Sequence, residues 1–223
     1  MLIRYSYFYN YNLLIILNMH IAISGNIGVG KTTLCRMLAK KFKWSPLFEA
    51  VDNNPYLDNF YEDMQRWSFN LQVFFLNSRF RQVQEIIKSK KTIIQDRTIY
   101  EDAYIFAPNL QAMGLMTLRD YENYLDLFRL MESFVSPPDL LIYLRSDIPA
   151  LVEKIQSRGR EYEEGIRIDY LKRLNERYEA FFANYKHNHI VIQSNEFDFE
   201  NSKNDFEEIV ERISTNLKKN TKK

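Results

Sequence analysis

Cysteine is nearly absent from this 223-residue chain: Cys35 stands alone, so no internal disulfide can form, which agrees with a reducing compartment such as the cytoplasm. Long apolar runs are lacking as well. Within the unusual Tyr- and Asn-rich start, the longest run, Leu13 to Leu17, is too short to span a bilayer, and no membrane partner is expected. Arg4 and that run superficially fit a signal peptide, yet no small-residue cleavage site follows. Nor is either charge in surplus. Thirty Lys and Arg face 29 Asp and Glu, leaving no field strong enough to gather a polyanion, so nucleic acid is not an expected partner. Internal repeats are missing too, and 46% hydrophobic residues provide for one globular core.

What is present, from Met19 onward, is an alternation of short β-like runs with longer helical stretches, the pattern of parallel βαβ units. Strands are expected at 20–24, 46–50, 92–96, 140–144 and 189–193. A helix is expected from about Lys31 to Phe42. Residues 66–88 carry Phe69, Val73, Leu76, Phe80, Val83 and Ile87 at helical spacing, which predicts a long helix with one buried stripe. A helical region loosened around Pro108 and Gly114 follows, and another helix begins near Pro149. The charge-dense segment 157–165 has no apolar stripe and reads as a solvated loop. Residues 1–18 read as an N-terminal extension outside the fold, 19–217 as one domain, and 218–223 as a basic tail. The expected class is α/β, three layers with a five-stranded parallel sheet flanked by helices.

Gly25, Asn26, Ile27, Gly28, Val29, Gly30, Lys31 and Thr32 satisfy every fixed position of G-x-x-x-x-G-K-[ST], between an expected strand and an expected helix. Such a loop turns backbone N–H groups toward phosphates, adds the positive end of a helix, and brings Lys31 to the terminal phosphates as a point charge. Thr32 offers a hydroxyl to Mg²⁺, and Thr33 continues the ATP-binding set. The loop alone does not separate kinases from GTPases, motors or regulators. An Asn-Lys-x-Asp sequence, which GTPase base recognition needs, is absent. Glu49 at the end of the second strand and Asp96-Arg97 at the end of the third suggest a phosphoryl transferase.

The residues from Glu49 onward resemble the deoxynucleoside kinase family. Its Glu-Pro-Val motif followed by Asn-Pro-Tyr-Leu is matched here by Glu49, Ala50, Val51 and then Asn54, Pro55, Tyr56, Leu57. Residues 66–79 are similar to its base-binding helix; Asp96, Arg97 and Thr98 match a Glu-Arg-Ser motif; and 157–165 resembles its arginine-bearing lid, the likeness covering Met19 to about Leu217. The resemblance implies a P-loop kinase fold, ATP and Mg²⁺ as co-substrates, and commonly a homodimer. It implies Glu49 as general base, Arg97 and Lys31 on the transferring phosphate, and Thr32 with Asp96 at the metal. A helix N-cap is the other reading of Asp96, and a plain surface position the other reading of Glu49. By the same register Tyr61 and Glu163 grip the sugar 3′-hydroxyl, Gln72 meets the base edge, and Trp67, Phe69 and Phe106 wall the base pocket. Ordinary core packing is the competing reading of each aromatic. Lys154, Arg158 and Arg160 map onto the lid cations. Two positions depart from the family pattern: Ala50 replaces a proline, and Lys154 stands where relatives often carry arginine, which loses bidentate phosphate contact.

Arg79 follows Gln72 by seven residues, on one face of the same helix, and Asp102 opens the helix after Asp-Arg. In the resembling family an aspartate here, paired with that arginine, goes with purine or cytosine substrates. Deoxyadenosine is therefore the expected acceptor. Deoxyguanosine and deoxycytidine stay open, as does a purely structural Arg79–Asp102 ion pair. Outside this family the competing readings are a thymidylate kinase type of enzyme and a non-catalytic nucleotide-binding protein.

Overall fold

The computed structural model describes residues 18–51, 54–163 and 165–220. Five strands form one parallel sheet in the order β2-β3-β1-β4-β5: β1 His20–Gly25, β2 Ser45–Leu47, β3 Ile93–Asp96, β4 Leu140–Arg145 and β5 His189–Gln193. Its central strands β1 and β4 are mostly apolar because both faces are covered. On one face Ile21, Ile23, Ile142 and Leu144 pack against α1 (Lys31–Phe42), α7 (Ile148–Arg158) and α9 (Lys203–Asn220). On the other, Ala22, Leu141 and Tyr143 meet α3 (Met64–Lys88) and α8 (Ile168–Asn184). Alternate residues of each strand thus feed two cores, which makes three layers.

Several boundaries shift by a residue or two, and three differences go further. β2 stops at Leu47, not residue 50, because its partner runs out: Leu47 pairs with Gln95, one residue before β3 ends at Asp96. Arg97 then turns away with φ 71°. Freed from the ladder, the Phe48 carbonyl is held instead by the Gln82 side-chain amide at 2.6 Å. The region after Asp96 divides into α4 (Ile99–Glu101), a π-helical turn over Asp102–Phe106, α5 (Ala107–Ala112) and α6 (Leu118–Glu132), with Gly114 at φ 69° separating the last two. α9 continues to Asn220, so the tail boundary expected at 218 falls inside a helix. Apart from exposed Asn18, the expected N-terminal extension lies outside the described residues.

The stripe expected on α3 also needs correction. Its deeply buried face is Leu71, Gln72, Phe75, Leu76, Arg79, Gln82 and Val83, whereas Phe69, Val73 and Phe80 form a half-buried flank against the α6 cluster and Ile87 is 64% exposed. Polar residues occupy the inner face because α3 backs the site.

Candidate active site

The C-terminal ends of β1, β2 and β3 open into one cleft of about 1050 Å³, beside the point where the chain switches from one side of β1 to the other. The loop from β1 to α1 forms its floor. Gly28 sits at φ 83°, and a Cβ there would meet Ile155 Cγ1 of α7 at 2.6 Å, so only glycine fits. Gly30, at φ 100°, is the N-cap of α1. Gly28, Gly30, Lys31, Thr32 and Thr33 line the cleft. Gly25, Asn26 and Val29, expected to join them, support the loop from behind. Asn26 Nδ2 donates to the Leu171 carbonyl and to Asn175 Oδ1 of α8, both at 3.1 Å. The Val29 carbonyl accepts from Ser194 Oγ at 3.2 Å, and Gly25 N–H points to Glu101 Oε1 at 3.4 Å. Lys31 Nζ, buried, donates to the Asn26 carbonyl at 2.9 Å. Burial, with Arg97 beside it, lowers the Lys31 ammonium to about 8 despite Asp96, Glu49 and Glu101 nearby.

Glu49 hangs over this floor. Its Oε1 receives Arg79 Nη2 at 2.7 Å and lies 2.9 Å from Arg97 Nε. Burial alone would raise the carboxyl, but Arg97, Arg79 and Lys31 together bring it down to about 2, so it is ionised throughout the neutral range. Arg97 also donates to the Tyr178 hydroxyl at 2.8 Å and lies over the Phe106 ring at 4.4 Å. Asp96 ends β3 as expected. Thr32 Oγ1 donates to Asp96 Oδ2 at 2.5 Å, while Oδ1 is buried with no hydrogen-bond partner among the described residues. Thr98, not Asp96, is the N-cap of α4.

At the inner end, Gln72 and Asp102 both line the cleft at 2% exposure, and Gln72 Oε1 has no hydrogen-bond partner among the described residues. The π-helical turn brings Asp102 to this wall. Burial raises its carboxyl to about 7, against the pull of Arg79 and Arg97. Arg79 itself does not line the cleft. At 1% exposure it lies behind the wall, donating to Glu49, to the Asp96 carbonyl at 3.1 Å, and reaching Asp102 Oδ2 at 3.3 Å. Trp67 and Phe69 are also absent from the lining. Trp67 is about 140° round the helix from Gln72 and packs on Tyr56, with ring centroids 5.9 Å apart. Phe106 does form part of the wall, with Leu71, Phe75, Phe60 and Tyr170, which the sequence pattern does not single out.

Tyr61 and Glu163 also line the cleft, and Tyr61 stacks on Tyr162 with ring centroids 5.8 Å apart. Arg158 ion-pairs with Glu163, and Arg160 approaches the same carboxylate at 3.5 Å. Segment 157–165 is partly built: α7 runs to Arg158, Gly159 caps it at φ 64°, and a 3₁₀ turn covers Glu161–Glu163. Lys154 Nζ donates to Ser194 Oγ at 3.0 Å. Lys154, Arg158 and Arg160 all line the cleft, which therefore carries cations as well as aromatic and hydrogen-bonding side chains.

Residues 21–218 match the family model described as "Deoxynucleoside kinase". The chain is 37% identical over 209 residues to the deoxyadenosine/deoxycytidine kinase of Bacillus subtilis, covering 92% of this chain and 96% of that one. It is 42% identical over 180 residues to the deoxyadenosine kinase of Dictyostelium discoideum, covering 81% and 73%. Among solved structures, deoxyadenosine kinase from M. mycoides with bound dATP superposes with a TM-score of 0.78 at 31% identity, covering 88% of this chain and all of that one.

Proposed function

The chain belongs to the deoxynucleoside kinase family, and we propose that it prefers deoxyadenosine as the acceptor of the γ-phosphate of ATP. The observation that carries this reading is the pairing of Gln72, with a buried amide oxygen unpartnered, and Asp102 on one wall of the cleft that also holds Glu49 and the phosphate loop. Above about pH 7, where Asp102 is ionised, it accepts from the 6-amino group of adenine but meets the thymine oxygen with no proton to share. The two relatives named above, kinases of deoxyadenosine or of deoxyadenosine and deoxycytidine, support the same choice.

In this reading Glu49 takes the proton of the 5′-hydroxyl, and Arg97 and Lys31 hold the oxygens where negative charge gathers during transfer. Tyr61 and Glu163 hold the sugar. Lys154, Arg158 and Arg160 close on the ATP phosphates, which requires the arginines to share or leave Glu163. Thr32 and Asp96 suit Mg²⁺, since two oxygens lie together and one carboxylate oxygen is buried without a partner. Once bound, the ion offsets charge on the β- and γ-phosphates. Among the described residues no helix is long and apolar enough to cross a membrane, and Cys35 is a buried free thiol. Both suit a cytoplasmic enzyme. A homodimer is proposed on the face bearing exposed Leu130 and Phe134.

The test compares kcat/KM for the four deoxynucleosides, with their monophosphates alongside, in the parent and in Asp102→Ala. Deoxyadenosine should exceed thymidine by about tenfold or more, and the substitution should shrink that ratio. A parent that favours thymidine, or a ratio untouched by the substitution, refutes the base assignment. Faster turnover of a monophosphate would refute the nucleoside as acceptor.

A further inference from the structure

Arg97 is held by more than its partner carboxylate. The residue sits at φ 71°, outside the region most side chains favour, and its backbone N–H donates to the Ile23 carbonyl of β1 at 2.9 Å. That fixes the root of the side chain, not its head. Glu49 contacts the guanidinium at Nε, but Glu49 must also be free to face a substrate hydroxyl, and its side chain is 18% exposed. A second, fully enclosed contact lies on the opposite side of the guanidinium.

Tyr178, on α8, has no exposed surface. Its hydroxyl donates to Glu101 Oε1 at 2.9 Å, and its lone pairs accept from Arg97 Nη1 at 2.8 Å. Because a phenol has one proton, the bond to Glu101 orients the oxygen so that it accepts from the arginine. Glu101, also without exposed surface, lies 3.7 Å from Arg97 Nη1 and is itself immobilised. Its Oε2 accepts from Thr98 N–H at 2.8 Å in a capping box, and its Oε1 is 3.4 Å from Gly25 N–H. The same helix grips the phosphate loop. Leu171 and Asn175 hold Asn26, and with Tyr178 they stand at i, i+4 and i+7, on one face of α8.

We propose that Tyr178, oriented by Glu101, is the positioning residue for Arg97, and that α8 sets this cation in register with the phosphate loop. The inference rests on the reading of Arg97 as the cation that meets the transferring phosphate. A phenol bonded to a buried ion pair also adds ordinary stability, so the experiment must separate position from stability.

Tyr178→Phe removes one oxygen and keeps the ring. Its kcat should fall roughly tenfold to a hundredfold while KM for deoxynucleoside and for ATP stays within about twofold, the signature of an interaction felt in the transition state. Tyr124→Phe is the control. It removes an equally buried hydroxyl that has no hydrogen-bond partner among the described residues, and it should leave kcat unchanged. In an Arg97→Ala background, Tyr178→Phe should cost nothing further, since contacts that act through one another are not additive. Glu101→Leu is close in size but removes the acceptor that orients the phenol, and it should give the same split of kcat against KM; it decides the matter if Tyr178→Phe does not fold. Undiminished kcat in Tyr178→Phe, or an equal loss in both backgrounds, overturns the proposal and leaves Arg97 in its role. If Arg97→Ala keeps near-normal kcat, the reading of Arg97 falls and this inference with it.

Discussion

At the scale of single residues, Glu49, the proposed general base, sits in an environment that makes a specific demand. A general base works only in its ionised form, and two arginines and a lysine hold this carboxyl near 2 against the cost of burial. The sign follows directly: the folded value lies below the ordinary 4.5, so Glu49 favours the folded state fully above that value, and the contribution is lost as pH falls toward 2. Between pH 5 and 8 its charge should not limit turnover. Glu49→Gln should keep ATP binding and lose about a hundredfold or more of kcat at every pH in that range. Steady-state rates in buffers from pH 5 to 8 provide the check, and near-normal turnover would end the assignment. Glu49, Lys31, Thr32, Asp96 and Gln72 were legible as residues because short motifs carry them. Tyr178, Glu101 and Gln82 were not, because their partners lie 81, 76 and 34 residues away in the chain. Of these only Glu101 left a local trace, the T-x-x-E spacing from Thr98.

Among the elements, the phosphate loop and α7 depend on each other. Gly28 presses on Ile155 with no room for a methyl group, and its backbone is left-handed. Gly28→Ala should therefore cost roughly 1–3 kcal/mol in strain, lower the melting temperature by several degrees, and weaken ATP binding more than deoxynucleoside binding. Calorimetry and donor titration read the two effects separately; an alanine variant with parental melting and donor affinity would contradict the contact. Strands β1, β4 and β5 were visible as apolar runs, and α3 as a periodic one. The end of β2 was not, since it depends on where β3 stops. The deeply buried face of α3 was read wrongly in part for a related reason. Hydrophobic periodicity finds faces that pack on apolar cores, whereas Gln72, Arg79 and Gln82 are buried around a polar site.

For the whole molecule, the exposed face of α3 and α6 carries the open question of assembly. Leu130 is 71% and Phe134 65% exposed, with Phe134 meeting Phe80 edge-on at 6.2 Å, and Ile87 lies further along α3. This face is the one proposed above for the dimer, since contiguous exposed apolar patches favour association. The enzyme should run as a dimer in light scattering, and Leu130→Glu with Phe134→Glu should yield a folded monomer. A monomeric parent, or a double variant that stays dimeric, would exclude this face. The sequence by itself determined the order of strands and helices, the phosphate loop and the motifs at the strand ends, because each is encoded within a few neighbouring residues. Tertiary structure decided which of those side chains reach the cleft and which stand behind it. Arg79, Asn26 and Trp67 all belong to motif segments, yet Trp67 is turned by an angle of about 140° from Gln72, Asn26 turns back to α8, and Arg79, on the face of Gln72 but two turns on, is enclosed by Glu49, Asp96 and Asp102. Only the packing of α3 and α8 against the sheet fixes those placements, through contacts between residues far apart in the chain.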